Sequence, residues 1–419
     1  QSQLANSYKI SELQILAKNA GETTVSVIED IPVVDIVYSS LTYSYRYDST
    51  KPFKVLPEKD ITRVYESKNL HDVIKKYVDS DAYDDYRELW QRSYELGPVP
   101  DFPIQLDFEL NYSCNFRCPM CTWSEEVTGK YGKETWFDFE VYKEVIDEGV
   151  KKGLKCIRLN YINEPLIRKD LIKFITYARD AGILDIYMST NGSLLTEKIS
   201  KEIITSGLTR LQISLDAATK EIFDIIRVGG NFDKVISNVN RFMKIRSEMK
   251  SELPTVRVNF VQTDTNEHEM EDFVEYWKDK VDAVAIQDLV NIVKPTEGVK
   301  VAGIKEFKCP QPFNHMAIRY NGDILPCCTF FGAELSVAKL KSNTKPDVKY
   351  STTENIGERQ SPLESSKDKS KLVMRTIEET WKSPELKFLR DIHRKGEYWK
   401  HPVCNKCVSS LSHHDETQG

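Results

Sequence analysis

The chain has 419 residues, with 58 Lys and Arg against 64 Asp and Glu, for a formal net charge of −6. That length implies roughly two to three domains, and 40% apolar with 29% charged residues is an ordinary globular composition. Mild acidity argues against a phosphate-backbone binder, so nucleic acid is not expected as a partner; no run of about 18 apolar residues marks a membrane span, and residues 1–20 carry no signal-peptide pattern.

Residues 1–100 read as an N-terminal α+β extension without a motif. It has a helix over Tyr8–Lys18, two or three strands within Thr23–Tyr47 and one or two helices over Leu70–Leu96. Residues 101–295 alternate strand and helix. The strands are Ile104–Leu110, Cys156–Tyr161, Asp185–Ser189, Arg210–Leu215, Thr255–Gln262 and Ala283–Asp288. The helices between them are Phe137–Gly149, Leu171–Ala181, Glu197–Ser206, Phe232–Met249 and Glu269–Lys278. Strict alternation predicts an α/β fold with a parallel sheet. Six strands fall short of a closed eight-stranded barrel, so a partial (β/α)6 TIM-like barrel is expected. Residues 296–419 read as a C-terminal cysteine-rich domain. It has a hairpin of Ala317–Tyr320 and Ile324–Cys327, a mobile insertion near 331–372, a helix over Thr376–His393 and a closing segment His401–Cys407 before a frayed tail.

Of nine cysteines, Cys114, Cys118 and Cys121 group together, as do Cys327 with Cys328 and Cys404 with Cys407. Such clustering without a secretory signal reads as metal ligation in a reducing compartment, hence a cytoplasmic location. Cys114-x3-Cys118-x2-Cys121 follows the first barrel strand. Thiolates select zinc or iron–sulfur centres. The nearest histidines, His71 and His268, are distant in sequence, which favours iron–sulfur over zinc. Three thiolates on a four-iron cubane leave one iron open to a small molecule. Cys309, Cys327, Cys404 and Cys407 supply four further thiolates, with Cys328 an alternative to Cys327. Their spacing alone leaves zinc and iron–sulfur both open. Cys156, Trp381 and Trp399 read as packing residues. Tyr161, Asn259, Gln262 and Gln287 sit near strand ends, where barrel pockets form.

At these residues the chain resembles the radical S-adenosylmethionine (SAM) enzymes, over roughly residues 104–290. Cys114-x3-Cys118-x2-Cys121 is the spacing of that family's signature. Asn163-Glu164-Pro165 is similar to its Gly-Glu-Pro motif, whose backbone holds the SAM amino group, with Asn163 in place of glycine. Ser189-Thr190-Asn191-Gly192 resembles the ribose-contacting strand end. Ser214-Leu215-Asp216 with Arg227 resembles the pair that anchors the SAM carboxylate. The resemblance implies a 4Fe–4S cluster on Cys114, Cys118 and Cys121, with SAM contacted by Asn163, Glu164, Pro165, Ser189, Asn191, Ser214 and Arg227. It implies reductive cleavage of SAM to a 5′-deoxyadenosyl radical that takes a hydrogen atom from substrate.

The C-terminal pattern Cys309-Pro-Gln-Pro-Phe, Asp323-Ile-Leu-Pro-Cys327-Cys328 and Pro402-Val-Cys404-Asn-Lys-Cys407 resembles the family's SPASM and shorter twitch extensions. A full SPASM region carries more than the five cysteines here, so one auxiliary 4Fe–4S cluster is implied, on Cys309, Cys327, Cys404 and Cys407. The short tail and the stretch Tyr86–Leu110 resemble sugar-active members. The expected reaction is therefore oxidation or epimerisation of a sugar or aminocyclitol-like substrate, with the auxiliary cluster accepting an electron and a flavodoxin or ferredoxin-type donor supplying the first one. Candidate catalytic residues are Cys328 as hydrogen donor, His315 as base, and Tyr161. One alternative is a maturase acting on a ribosomally made peptide. Another, of a different class, is a non-catalytic zinc or electron-transfer metalloprotein, which explains the thiolates but not the ordered motifs between them.

Overall fold

The computed structural model describes residues 42–46, 62–121, 136–289, 307–328, 335–343 and 372–409. The expected helix Tyr8–Lys18, the strands before Thr42 and the terminal tail lie outside these residues. Among those described, the chain runs β1 (Thr42–Arg46), β2 (Thr62–Glu66), α1 (Leu70–Lys75), α2 (Ser80–Tyr94) and β3 (Gln105–Phe108). Next come α3 (Phe139–Lys151), β4 (Cys156–Arg158), α4 (Leu171–Ala181), β5 (Asp185–Thr190), α5 (Glu197–Ser206), β6 (Arg210–Ser214), α6 (Lys220–Ile226), α7 (Phe232–Glu248), β7 (Thr255–Gln262), α8 (Met270–Trp277) and β8 (Ala283–Asp288). The C-terminal part adds α9 (Gln311–Asn314), β9 (His315–Ile318), β10 (Asp323–Leu325), β11 (Ala338–Leu340), β12 (Met374–Arg375), α10 (Ile377–Trp381), α11 (Pro384–Arg394) and α12 (Pro402–Ser409). No helix among the described residues is long and apolar enough to cross a membrane.

The strands form one sheet in the order β1-β2-β8-β7-β6-β5-β4-β3-β9-β10-β11-β12. From β3 to β8 every neighbour is parallel and follows chain order, as expected of a partial TIM-like barrel. The sheet stays open because β2 pairs antiparallel with β8 at one side and β9 pairs parallel with β3 at the other. Neither pairing is local in sequence.

The barrel strands carry two different faces. Leu106, Ile157, Ile186, Leu211, Ile213, Val256, Val258 and Ile286 are almost wholly buried under the helices, each worth about 1.5–3 kcal/mol. The alternate positions are polar: Gln105 and Asp107, Arg158, Asp185 and Tyr187, Arg210 and Gln212, Arg257 and Asn259. They line the concave side, where Arg158, Tyr187, Arg210, Arg257 and Asn259 are only half-buried.

Helix α2 closes the amino-terminal end of this interior. Its Tyr83, Tyr86 and Trp90 pack with Ile104 and Cys156, and the Tyr86 hydroxyl donates to Asp185 Oδ2 at 3.2 Å. Cys156 is fully buried there, so its reading as a packing residue stands. Trp381 is also an anchor, its Nε1 donating to Pro100 O at 2.7 Å. Trp399 is not, being 50% exposed. Within the mobile insertion expected near 331–372, the described residues 335–343 are ordered and include a strand. Ala338 and Leu340 are buried in the main apolar cluster, Leu335 packs with Val403, and β11 joins β10.

Buried at the foot of the barrel, Arg246 on α7 donates to Asp282 Oδ2 at 2.5 Å and Oδ1 at 3.1 Å. Burial pushes the Asp282 pKa up, but the Arg246 hydrogen bonds and charge outweigh it and hold the carboxyl below its ordinary value. A depressed folded pKa contributes stability above the unfolded pKa and loses it as pH falls through the folded one. Asp282→Asn should therefore cost about 3–5 kcal/mol near pH 7 by leaving Arg246 unanswered. In urea unfolding, its midpoint should also decline less than wild type below about pH 5.

Candidate cofactor site at the carboxyl ends of the strands

The cysteine motif lies in the segment between β3 and α3, whose two ends are drawn together. Phe137 N donates to Leu110 O at 2.9 Å, and Asn111 bridges to Trp136. The buried Arg168 guanidinium donates from Nη1 to Leu110 O at 2.7 Å and Phe137 O at 2.8 Å. Within the loop, Phe116 N donates to Cys114 Sγ at 3.5 Å and Cys121 N to Cys118 O at 3.0 Å. Cys114 and Cys121 pack against the stacked rings of Tyr112 and Tyr320.

Asn163-Glu164-Pro165 pins this loop to the neighbouring strand end. Glu164 N donates to Ser113 O at 2.9 Å, beside Cys114. The buried Glu164 carboxylate accepts from Thr190 Oγ1 at 2.7 Å, Asn191 N at 2.8 Å and Leu166 N at 3.0 Å. Asn163 accepts from Tyr161 N at 3.0 Å and donates to Asn111 Oδ1 at 2.8 Å. Its backbone is not left-handed, so asparagine stands in for glycine there without strain. Pro165 starts a single 3-10 turn, consistent with its fixed φ and missing N–H. Asn191 Nδ2 donates to Asn115 Oδ1 at 2.9 Å, joining β5's end to the cysteine loop. Ser189 N donates to Asn160 Oδ1 at 2.7 Å, and its hydroxyl donates to Gln212 Oε1 at 3.1 Å.

On β6, Ser214 lies in register with Asn259 of β7. Arg227 does not turn to Ser214. It forms an ion pair with the fully buried Asp216 and directs Nη1 to Cys118 Sγ at 3.6 Å. Asp216 has φ 62°, a left-handed conformation aspartate tolerates better than most residues, and its Oδ1 accepts from Val261 N at 2.8 Å. Such outliers cluster at functional sites. Burial raises the Cys118 thiol while Arg227 opposes it. Burial, with the Glu164 charge, pushes Cys114 up to about 12. Cys114 and Cys118 would hold iron as thiolates, and the Phe116 N–H and Arg227 guanidinium aimed at their sulfurs would stabilise that charge.

The second cysteine group gathers between the segment after β10 and the C-terminal helices, where Cys309 N donates to His393 Nδ1 at 3.4 Å. Burial raises Cys309 and Cys327 well above the ordinary thiol value; neighbouring thiols add to it, Cys328 first at Cys327 and Cys407 first at Cys309. Cys327 and Cys407 pack on Leu335 and Val403. Cys328 lies beside this group as well, interacting with Cys309, Cys327 and Cys407 and donating from Sγ to Gln311 Oε1 at 3.8 Å. Its other electrostatic neighbours are Asp107 and Arg158 of the barrel interior, and burial first, then Asp107, raises it to about 12. His315 and Tyr161 share that neighbourhood, both flanking Arg158. Among the described residues no three His, Cys, Asp or Glu side chains converge as ligands of a single ion. In a cubane each thiolate holds its own iron, so its cysteines stand wider apart.

The structure thus brings the three weakest sequence candidates, Cys328, His315 and Tyr161, to one charged pair, Asp107 and Arg158, that sequence reasoning missed. Asn111, Asn115 and Asn160 were missed as well, as was the Asp216–Arg227 pairing. The loop after α6 supports the cysteine motif directly: a Cβ on Gly230 would stand 2.7 Å from Phe116 Cζ and 2.7 Å from Phe223 Cε1. Gly230→Ala should therefore cost about 1–3 kcal/mol and lower iron incorporation at the first cysteine set. Gly97→Ala, whose Cβ meets only Arg92 O at 3.6 Å, should leave both unchanged. Thermal melting and anaerobic iron analysis of the two variants check this.

Comparison with known proteins now places the chain. Residues 108–277 match the Radical SAM superfamily, and residues 309–408 match SPASM, an iron-sulfur cluster-binding domain. The chain is 33% identical over 171 residues to the GTP 3′,8-cyclase of Thermodesulfovibrio yellowstonii, covering 40% of this chain and 50% of that protein. It is 33% identical over 140 residues to the mycofactocin maturase MftC of Mycolicibacterium smegmatis, covering 32% of this chain and 33% of that one. The chain spans about half the length of the cyclases it matches. Among solved structures, BtrN in complex with AdoMet and 2-DOIA is similar at 17% identity and TM-score 0.43, covering 73% of this chain and 93% of that one. The two matched families bind a 4Fe–4S cluster with SAM and auxiliary iron–sulfur clusters. The chain belongs to the radical SAM superfamily and carries a C-terminal SPASM-type iron–sulfur domain.

Proposed function

We propose that this chain oxidises or epimerises a sugar or aminocyclitol-like substrate held inside the barrel. In this reading Cys114, Cys118 and Cys121 hold the SAM-binding 4Fe–4S cluster. Asn163, Glu164, Pro165, Ser189, Asn191, Ser214 and Arg227 surround SAM, with Glu164 and Arg227 acting mainly by positioning the cysteine loop. Cys309, Cys327, Cys404 and Cys407 hold one auxiliary 4Fe–4S cluster. When bound, the reduced cluster and SAM supply a 5′-deoxyadenosyl radical able to remove hydrogen from an unactivated carbon.

The observation that carries the reading is the polar concave face between the two cysteine groups. Barrel interiors are ordinarily filled by branched apolar side chains. Here Gln105 Nε2 donates to Asp107 Oδ1 at 2.5 Å and to Tyr187 Oη at 2.8 Å, and the unfilled donors and acceptors suit a polyhydroxyl substrate. His315 is a fit proton acceptor. Its Nδ1 lies 2.7 Å from Asn314 Oδ1, which sets the tautomer with Nδ1 donating, and buried Nε2 has no partner. Burial lowers its pKa, so the imidazole is neutral at pH 7. His315 Nε2 then takes the proton left when a carbinol is oxidised, and Arg158 orients the hydroxyl. In this reading Cys327 is the auxiliary ligand, and Cys328, which interacts both with that group and with Asp107 and Arg158, is the alternative ligand or the hydrogen donor.

Anaerobic reconstitution should yield about eight irons per chain in two cubanes. Reduction with dithionite in the presence of SAM should give 5′-deoxyadenosine from wild type and none from a Cys118→Ala/Cys121→Ala double variant. About four irons, or product from the double variant, would overturn the assignment. Turnover of a peptide panel with no turnover of aminocyclitols or sugars would replace the substrate class.

A further inference from the structure

We propose that the substrate carries an oxyanion, a carboxylate or a phosphate, and that Arg257 on β7 is the residue that docks it. The inference rests on the reading of the barrel interior as the substrate chamber.

Three arginines share the concave face, and their charges are answered unequally. Arg210 holds Asp185 through Nε at 2.9 Å and Nη2 at 2.7 Å and stacks on Tyr187, with its guanidinium 4.1 Å from the ring centre. Arg158 has Asp107 at 3.9 Å and Asn160 Oδ1 at 3.4 Å. Arg257 has no hydrogen bond or ion pair among the described residues, and its Nε is buried without a partner. The acid on the same face, Glu66 of β2, is separated from it by β8, since Arg257 and Glu66 are both in register with Ala283.

An unpaired guanidinium in this position is costly. Burial, reinforced by Arg210, lowers its pKa to about 10. Nothing in the packing demands the charge, because the adjacent positions on this face of β8 are Ala283 and Ala285. Stability given up at one point inside a chamber is a mark of binding. Guanidinium presents a planar fork that matches carboxylate and phosphate oxygens. Two residues further along the strand, Asn259 Oδ1 is also buried without a partner and faces the end of the barrel where Ser214 lies. An anion on Arg257 therefore leaves a hydroxyl or amino group of the same molecule to donate to Asn259, and directs the remainder towards the cysteine loop.

The test uses the anaerobically reconstituted holoprotein, with inorganic phosphate, malonate and chloride as probes at matched ionic strength. Phosphate or malonate should raise the melting temperature of wild type by a few degrees, chloride should not, and whichever oxyanion acts identifies the group. Arg257→Leu should abolish that shift while itself melting no lower than wild type, and Arg257→Lys should keep part of it. An oxyanion shift that survives in Arg257→Leu overturns the inference, as does the absence of any shift in wild type. A large loss of melting temperature in both variants would make Arg257 structural and overturn it equally. The same preparations are assayed for 5′-deoxyadenosine: normal SAM cleavage with no oxyanion effect sinks the inference alone, whereas absent cleavage in fully loaded protein sinks the reading beneath it.

Discussion

Glu164 is the pin on which the site turns. Its carboxylate binds the end of β5, its backbone binds the start of the cysteine loop, and Asn111 reaches back to its carbonyl at 3.3 Å. A buried carboxylate is unfavourable unless hydrogen-bonded. Burial raises its pKa, and donors from Asn191, Thr190 and Leu166 oppose that rise. These same bonds hold three strand ends and the thiol loop at fixed separations. Arg168 does the equivalent work beneath the loop, and Arg227 with Asp216 does it at the side. The cysteines therefore stand on a rigid carboxyl-terminal rim rather than on a free loop, as a preorganised cofactor site requires.

A second constraint comes from the pleat. Each strand buries one set of side chains under the helices and turns the other inward. The inward set is largely polar from β3 to β7, with a closed network around Asp185 at the bottom, the unpartnered His315 Nε2 at the same level on β9, and the unpartnered Arg257 Nε and Asn259 Oδ1 further along β7. Satisfied polar groups rigidify the foot of the chamber, while unsatisfied ones mark where another molecule makes up the deficit. Cys328, which follows β10, interacts with Asp107 and Arg158 of this chamber and with Cys407 of the second cysteine group.

The crossover order was legible because helix and strand periods switch cleanly between Phe137 and Gln262, and the rim motifs because they follow strand ends. The edges were not. Nothing local says that Thr62–Glu66 pairs with Ala283–Gln287, or that His315 pairs with Gln105, since such partners are chosen by the whole sheet. Helix α6 was missed because seven residues with a Thr219 cap give too short a period to read. That Arg227 pairs with Asp216 was not legible, since the two lie on either side of α6. The interior arginines had a visible signal: Cys156-x-Arg158-x-Asn160, Arg210-x-Gln212-x-Ser214 and Arg257-x-Asn259 alternate polar residues where a parallel sheet covered on both faces runs continuously apolar. That alternation marks a solvated interior.

The central claim is that the Cys114, Cys118, Cys121 site holds a cluster that SAM touches directly while the second cysteine group holds one that it does not. Electron paramagnetic resonance of the dithionite-reduced, fully loaded protein, recorded before and after SAM, tests it most directly. The spectrum of one cluster should change with SAM, and that response should vanish in the Cys118→Ala/Cys121→Ala variant while a second, SAM-insensitive signal persists. A spectrum that SAM leaves unchanged in fully loaded wild type, or a SAM response that survives in the variant, would contradict the account.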